Sequence, residues 1–340
     1  MKSHLRLGFT LTALLAVILV LSCTLAGSAK DEGNVYRVKN VDQFLAALGS
    51  GRTVVLAKGE YNLAKAKDYG KNDESKCYAW KLAGDGFELE IKETRNLDIM
   101  GAGRELTSIV NEPRYANVIT FTDCADVGIF KLTAGHTKAQ GYCSGGVLNF
   151  SRSHDIDIED CCLYGCGTYG ITAYESRDLR AERCIIKECS YGAFEFLNCS
   201  DIAFEKGLVF DCGLKETFCC FELFSVCNCT DFAMNEVEVR GNRTDRLFNI
   251  YGSSDAEIAS CRFTGNTIKQ GVFSINESTV CVADSSFASN DIASERWYTK
   301  TDSGENKRGF NYAVGKNGEK LEKEHFMQMK YAPSRGGEAD

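Results

Sequence analysis

The chain has 340 residues, a quarter of them charged, and a formal net charge of -8. This composition is that of a folded globular protein and excludes a disordered chain. No long run of Lys and Arg is present, which argues against a nucleic-acid partner. The acidic balance also disfavours acidic polysaccharides unless a cation bridges them to the protein.

Residues 1–22 have the organisation of an export signal. Lys2 and Arg6 precede an apolar run at 7–21, which is short for a membrane span. Two cleavage sites compete. The string "VLSC" resembles a bacterial lipoprotein box and predicts lipidation at Cys23, whereas "GSA" at 27–29 suits ordinary signal peptidase. We expect an exported protein, either held at the cell envelope by a lipid or secreted, with membrane contact only through that lipid.

Residues 23–34 are expected to be a linker, and a short helix should follow them. Asn40 and Gln43 have the spacing of a capping box. Apolar residues of a single helical face follow at Val41, Phe44, Leu45 and Leu48. This helix is expected to cap the first coil of a repeat, whose exposed edge strands would otherwise pair with other chains.

The repeat covers residues 35–290. An apolar–polar–apolar alternation, which is typical of a strand, returns every 23 to 30 residues. Its paired apolar positions are Leu97/Ile99, Val127/Ile129, Ile156/Ile158, Leu179/Ala181, Ile202/Phe204, Phe232/Met234, Ala256/Ile258 and Val280/Val282. A further short strand precedes each pair, as in "VLNF", and another follows it, as in "CCLY". Three strands per coil predict an all-β fold, a right-handed parallel β-helix with an N-terminal capping helix.

The repeat also accounts for most of the 17 cysteines. Ten residues after the first member of each of the last six pairs lies one column of residues. These are Cys166, Cys189, Cys212, Asn242, Asn266 and Asn290. We expect these side chains to stack inward about 4.8 Å apart, with the asparagines forming an amide ladder. Disulfides between neighbouring coils would also fit this spacing. A metal site of Cys161, Cys162 and Cys166 with Cys143 or His136 is an alternative that the spacing does not require.

The pattern stops after Asn290. Residues 291–340 are charged but keep several aromatic side chains. They are expected to form a C-terminal cap followed by an acidic tail.

The helix, the segment "RTVVLAKGEYNL" and the coils that follow resemble the pectate-lyase-like β-helix superfamily. The resemblance implies the fold, and it implies an extended polysaccharide lying along the outer face of one strand column. Its members include lyases, hydrolases, adhesins and inert scaffolds, so the fold leaves activity open. The aspartate trio of polygalacturonase-like hydrolases and the arginine-with-calcium signature of pectate lyases are not recognisable in this chain.

The candidate contact face is therefore the outward position in the first strand of each coil. That column is expected to be Glu90, Thr120, Asn149, Ala173, Glu195, Glu222, Asn249 and Ser274. Glu195 and Glu222 would lie in neighbouring coils, where they could act as a glycosidase pair or hold Ca²⁺. Two ordinary solvated glutamates are the alternative. No cofactor other than Ca²⁺ is considered, and none is required.

Three further side chains are candidates near this face. His136, in the longest departure from the repeat, could act as a general base. Tyr169 and Tyr191 occupy matching places in successive coils and could pack against sugar rings. Asn149 and Asn249 could bind substrate hydroxyls. A structural role is the alternative for each of them.

Three classes of function remain open. The first is an exported protein that binds carbohydrate or serves as a surface scaffold. The second is a polysaccharide lyase or glycoside hydrolase, and the third is an adhesin or other protein-binding module. A glycan partner is favoured, while catalysis and oligomeric state are left undecided.

Overall fold

The computed structural model describes residues 34–214 and 221–292, and the short strands Tyr298–Lys300, Ala313–Val314 and Lys320–Leu321. The chain divides into two compact units, Met1–Val35 and Tyr36–Asp340, and the fold belongs to the second. The predicted export signal, Cys23 and most of the predicted tail lie outside the described residues. Within the described residues, no helix has both the length and the apolarity needed to cross a membrane.

Short strands in three long sheets make up most of the described chain. Sheet A contains Val35–Val38, Arg52–Leu56, Arg95–Met100, Ala125–Phe130, His154–Glu159, Arg177–Glu182, Ser200–Glu205, Thr230–Asn235, Ala256–Ala259 and Val280–Ala283. Sheet B contains Gly59–Asn62, Thr107–Asn111, Thr133–His136, Cys162–Tyr164, Ile185–Lys187, Leu208–Phe210, Glu238–Arg240, Arg262–Thr264 and Ser286–Ala288. Sheet C contains Tyr78–Ala83, Gly86–Lys92, Ile119–Thr122, Leu148–Ser151, Tyr169–Tyr174, Gly192–Leu197, Glu222–Cys227, Arg243–Tyr251, Thr267–Asn276, Asp291–Ile292 and Tyr298–Lys300.

Each coil passes through sheet C, then sheet A, then sheet B, and each strand pairs in parallel with the equivalent strand of the next coil. In sheet A the register joins Ile156 to Leu179, Leu179 to Ile202 and Ile202 to Phe232. The predicted paired apolar positions are therefore true structural equivalents, and their side chains are buried. The predicted all-β, parallel β-helix architecture is confirmed.

Equivalent side chains stack on one another in the interior. Phe194, Phe224, Phe248 and Phe273 occupy one column in sheet C, with successive ring centroids 4.7, 4.8 and 5.1 Å apart. Stacking follows directly from the parallel register, which sets the spacing between neighbouring strands at about 4.8 Å. The core is thus a set of columns that run along the coil axis.

The predicted column of cysteines and asparagines is confirmed. Its six side chains are all buried. The Nδ2 group of Asn242 donates to Oδ1 of Asn266 over 2.9 Å, and Asn266 makes the same bond to Asn290. The backbone N–H of Cys212 donates to Oδ1 of Asn242 over 2.9 Å, which joins the two halves of the column.

The cysteines that the structure describes, fourteen in number, are all free thiols. Among the same described residues, no group of three or more His, Cys, Asp and Glu side chains is placed to hold a metal ion. The repeat places most of the buried sulfur in this part of the chain, and Cys143 lies outside the repeated positions.

The N-terminal helix is confirmed at Val41–Ala47. The backbone N–H of Gln43 donates to Oδ1 of Asn40 over 3.0 Å, and the Gln43 side chain accepts from the backbone N–H of Lys39 over 2.9 Å. Phe44 and Leu45 are buried beneath this helix. The strand Val35–Val38, which precedes it and joins sheet A, was not predicted as an element.

Two features at the ends differ from the prediction. Strand Tyr78–Ala83 pairs antiparallel with Gly86–Lys92, so a hairpin forms the N-terminal edge of sheet C. The run "GDG" between two alternating segments is a hairpin signal that the repeat pattern obscured. Beyond Asn290, strands Asp291–Ile292 and Tyr298–Lys300 still add to sheet C in parallel, so the coil continues past the predicted boundary.

Candidate functional site

A column of polar side chains follows the middle of the sheet C strands on their outer side. We call it the polar column, and its members are Glu90, Thr120, Asn149, Thr172, Glu195, Ser225, Asn249 and Ser274. The flanking residues of each strand point inward and are buried, so this position faces outward. The hydroxyl side chains of Thr120, Thr172 and Ser225 are shielded by their longer neighbours and are themselves buried.

Two members of the predicted column are wrong. Thr172, and not Ala173, pairs with Asn149, which turns Ala173 into the core. Ser225, and not Glu222, pairs with Glu195. Glu195 and Glu222 are therefore not equivalent residues in neighbouring coils, because Glu222 begins its strand three positions before Ser225.

The error over Glu222 has a simple physical origin. The segment "FELFSV" contains two apolar–polar–apolar triplets, at 221–223 and at 224–226. Pairing of Phe194 with Phe224 selects the second triplet, because the aromatic stack of the core continues only in that register. The sequence pattern alone favours neither triplet.

Hydrogen bonds order the polar column. Thr172 donates its hydroxyl to Oδ1 of Asn149 over 2.8 Å, and Asn149 donates to the hydroxyl of Thr120 over 3.5 Å. Tyr174 donates its phenol to Oε2 of Glu195 over 2.7 Å. Burial, with a further contribution from Glu195, raises the pKa of Tyr174 well above its usual range, so the phenol remains a donor.

Glu222 forms a separate, partly buried ion pair beside the polar column. Its Oε1 lies 3.0 Å from an Nη1 of Arg246. Burial raises the pKa of Glu222, and the nearby guanidinium offsets only part of that effect. The Nε–H of Arg246 is buried and has no hydrogen-bond partner among the described residues. Glu195 and Glu222 thus each have their own partner, and this arrangement does not fit the calcium site expected from a pair of adjacent carboxylates.

The tyrosine pair does not form the exposed stack that was expected. Tyr169 is buried and meets Tyr191 edge-on, with ring centroids 6.3 Å apart. Tyr191 instead stacks on Phe221, at 3.6 Å between centroids, and its hydroxyl donates to the carbonyl of Cys143 over 3.0 Å. Burial, with Glu195 and Glu222 nearby, raises the pKa of Tyr169. Tyr169 is thus enclosed, and one face of the partly buried Tyr191 ring is covered by Phe221.

His136 is enclosed and does not contribute to the exposed face. It ends a sheet B strand, and only 1% of its surface is accessible. Its Nε2 lies 2.9 Å from the carbonyl oxygen of Ala116, and its Nδ1 has no partner among the described residues. Burial lowers the pKa of His136, so the ring is neutral near pH 7. The predicted role as a general base at this face has no structural support.

Three exposed tyrosines, on a sheet C strand or on connections that lead into sheet C, were missed. Tyr251, in the same strand as Asn249, is 41% exposed, and Tyr115 and Tyr142 are 46% and 60% exposed. Tyr115 and Tyr142 lie on the connections from sheet B to sheet C in two successive coils. An aromatic residue inside a glycine-rich or polar connection, as in "QGYCSGG", is the signal that could have identified them.

The family comparison agrees with this architecture. A family model described as "Right handed beta helix region" matches residues 145–312. Together with the parallel register of the three sheets, this match makes the fold a right-handed parallel β-helix. No curated protein matches the β-helix in sequence.

Several solved structures are similar to this β-helix at low sequence identity and with TM-scores below 0.5. ORF18 of Geobacillus virus E2 is 10% identical, with a TM-score of 0.42, over 92% of this chain and 65% of that chain. An alginate lyase from a Paenibacillus species is 10% identical, with a TM-score of 0.37, over 78% and 97% of the two chains. The catalytic domain of a GH87 α-1,3-glucanase is 12% identical, with a TM-score of 0.46, over 84% of this chain and 56% of that chain. The β-helix thus spans less than two thirds of the phage and glucanase chains.

Proposed function

We propose that this β-helix is an exported protein that binds an extended glycan along the polar column of sheet C. The observation that carries the proposal is the hydrogen-bonded run of hydroxyl, amide and carboxylate groups on one outer face. Sugar hydroxyls both donate and accept hydrogen bonds, and the column offers both kinds of group. Its side chains hold one another in place, which reduces the entropy lost when a ligand binds.

The charge of the face favours a neutral glycan. Glu90 and Glu195 belong to the polar column, which contains no Lys, Arg or His. The whole chain is also acidic. An acidic polysaccharide would meet electrostatic repulsion at this face.

The exposed tyrosines would supply apolar contacts. Tyr251 follows the polar column within its strand, while Tyr115 and Tyr142 lie on connections that lead into sheet C. The face of a phenol ring packs well against the C–H face of a sugar while its hydroxyl stays in water. This combination supports binding without requiring a catalytic step.

The test is affinity electrophoresis of the purified protein through gels that contain single neutral or acidic polysaccharides. We expect at least one neutral polysaccharide to retard the parent protein. Glu195→Gln should reduce that retardation about tenfold, through loss of a charge-assisted hydrogen bond. Glu222→Gln should change it less than about twofold, because Glu222 is paired with Arg246 outside the polar column.

The outcomes separate the classes of function. If no polysaccharide retards the parent protein, the glycan proposal is wrong and a scaffold or adhesin role is favoured. Retardation that is unchanged in both Glu195→Gln and Tyr251→Ala would place the contact elsewhere on the molecule. Release of shorter or unsaturated sugar products during the same incubation would add catalysis to binding.

A further inference from the structure

A second polar groove lies at the turns that connect sheet C to sheet A. Its volume is about 470 Å³, which falls within the range of ordinary ligand sites. It crosses four successive coils, from residue 152 to residue 230. Because neighbouring strands are about 4.8 Å apart, three steps give the groove a length of about 14 Å.

The repeat itself forms the groove. In each turn a residue with a left-handed backbone, such as Glu175 or Asn198, precedes a buried residue, such as Ser176 or Cys199. The side chain on either side of the buried residue points outward, so the two diverge and leave a furrow between them. One wall consists of Arg152, Glu175, Asn198 and Asn228, and the other of His154, Arg177, Ser200 and Thr230.

The two arginines of the groove already have anionic partners. Arg152 forms an ion pair of 2.8 Å with Asp123, and Arg177 forms one of 2.6 Å with Asp178. The Nδ1 atom of His154 lies 2.7 Å from a carboxylate oxygen of Asp155. The carboxylate of Glu175, in contrast, has no ion pair or hydrogen bond among the residues that the structure describes. An acidic ligand would therefore meet repulsion here.

The other end of the groove consists of neutral amides and hydroxyls. Nδ2 of Asn228 donates to Oδ1 of Asn198 over 3.2 Å, and both side chains remain exposed. This bond leaves the amide N–H groups of Asn198 available as donors. Ser200 and Thr230 place hydroxyls opposite them. Groups that both donate and accept suit a ligand rich in hydroxyls.

Backbone pairing excludes an added peptide strand. The backbone N–H groups of Arg177, Ser200 and Thr230 donate to the carbonyls of Ser153, Ser176 and Cys199 over 3.1, 3.2 and 3.0 Å. A peptide that binds by strand addition needs unpaired N–H and C=O groups, and these six groups of the turns are already paired with one another. The side chains of the two walls are left as the binding groups.

We infer that this groove is a separate binding site for an uncharged linear oligosaccharide of about three sugar units. It lies on the turns and shares no residue with the polar column, so it does not depend on the function proposed for sheet C. The length of about 14 Å sets the ligand size. Glu175 at one end and the Asn198–Asn228 pair at the other supply the polar contacts.

The test is an NMR titration of the full chain with uncharged trisaccharides, using maltotriose, cellotriose and mannotriose as probes. His154 lines the groove, so its imidazole signals report binding there. His136 is buried and does not line the groove, so its signals serve as the control in the same sample. We expect one trisaccharide to shift the His154 signals and leave those of His136 unchanged. Trigalacturonate, an acidic trisaccharide, should produce no shift.

Matched variants complete the test. Glu277 occupies the same left-handed turn position two coils beyond Asn228 and lies outside the groove. Glu175→Gln and Asn228→Leu should each weaken trisaccharide binding about tenfold, whereas Glu277→Gln and Glu195→Gln should leave it unchanged. The proposed binding site is wrong if no trisaccharide shifts the NMR signals of His154, or if only Glu195→Gln loses trisaccharide binding. If polysaccharides still retard Asn228→Leu in affinity electrophoresis, the binding function proposed for sheet C stands even when the groove does not bind sugars.

Discussion

The phenol of Tyr174 and the carboxylate of Glu195, in neighbouring coils, are joined by a hydrogen bond of 2.7 Å on the outer face of sheet C. Both groups are partly buried, and burial together with Glu195 raises the pKa of the phenol. The phenol therefore remains a donor near neutral pH, and the bond holds the glutamate in one orientation.

Replacing Tyr174 by Phe removes this donor. We expect a loss of about 1.5 kcal/mol in the free energy of unfolding, as for a hydrogen bond to a charged acceptor, and weaker glycan retardation. Urea unfolding and affinity electrophoresis measure the two effects. Tyr251→Phe, at an exposed position three coils away, serves as the control and should leave stability unchanged. Equal effects from both variants would contradict the orienting role of Tyr174.

Asn266 is the central member of the amide ladder. Its Nδ2 donates to Oδ1 of Asn290 over 2.9 Å and to the carbonyl of Val239 over 3.0 Å. Asn266→Leu should cost about 3 kcal/mol or more, because several buried groups lose their partner at once. Chemical unfolding measures this, with Asn235→Leu, at an outward position of a sheet A strand, expected to change stability by less than about 0.5 kcal/mol. Comparable losses in the two variants would contradict the ladder.

Asn266→Cys should be milder than Asn266→Leu. Cys212 occupies the same column one coil before Asn242, with its thiol buried and its backbone N–H bonded to the next asparagine. A thiol is small, fills the position and remains a weak donor. The same unfolding experiment compares the stabilities of the two variants. The prediction is wrong if Asn266→Cys is less stable than Asn266→Leu.

Glu222 should make stability depend on pH. Its folded-state pKa is raised, so the folded protein holds the proton more tightly than the unfolded chain does. The stabilisation that Glu222 gives is fully present below its pKa in the unfolded chain. It is lost as the pH rises through the pKa of Glu222 in the folded protein. Glu222→Gln should therefore gain in stability relative to the parent protein between pH 4 and pH 7. A trend of the opposite sign would mean that the ion pair with Arg246 dominates over burial.

Export is a prediction that mass spectrometry of the native protein can test. A basic start, an apolar run and "VLSC" predict a lipid-modified N-terminus at Cys23. Cys23→Ala should then release the protein from the membrane fraction. An unmodified N-terminus at Lys30 would instead show secretion without a lipid anchor.

The repeat could be predicted from sequence because each coil carries the same inward positions. Ile156, Leu179 and Ile202 are apolar, alternate with polar residues and return at nearly constant spacing, and their register is confirmed. The outward positions are less constrained, since no core selects them. The register of Glu222 was therefore ambiguous, and only the aromatic stack through Phe224 decides it.

Individual roles were harder to predict than positions. His136 lies in an irregular segment, and nothing in its neighbours in sequence indicates that Ala116, twenty residues earlier, covers it. The groove at the turns was also missed, although its residues recur in every coil. The groove forms because the side chains on either side of a buried residue point in different directions. The spacing of residues in the sequence does not predict these directions.

The hairpin at the N-terminal edge of sheet C has a consequence for self-assembly. Strand Tyr78–Ala83 is the outermost strand there and runs against the direction of its neighbour. A second molecule that approached end to end would have to continue a parallel stack from a strand of the wrong polarity. The reversed strand thus covers the parallel edge of Gly86–Lys92, and we expect deletion of residues 66–83 to expose that edge to pairing with other chains.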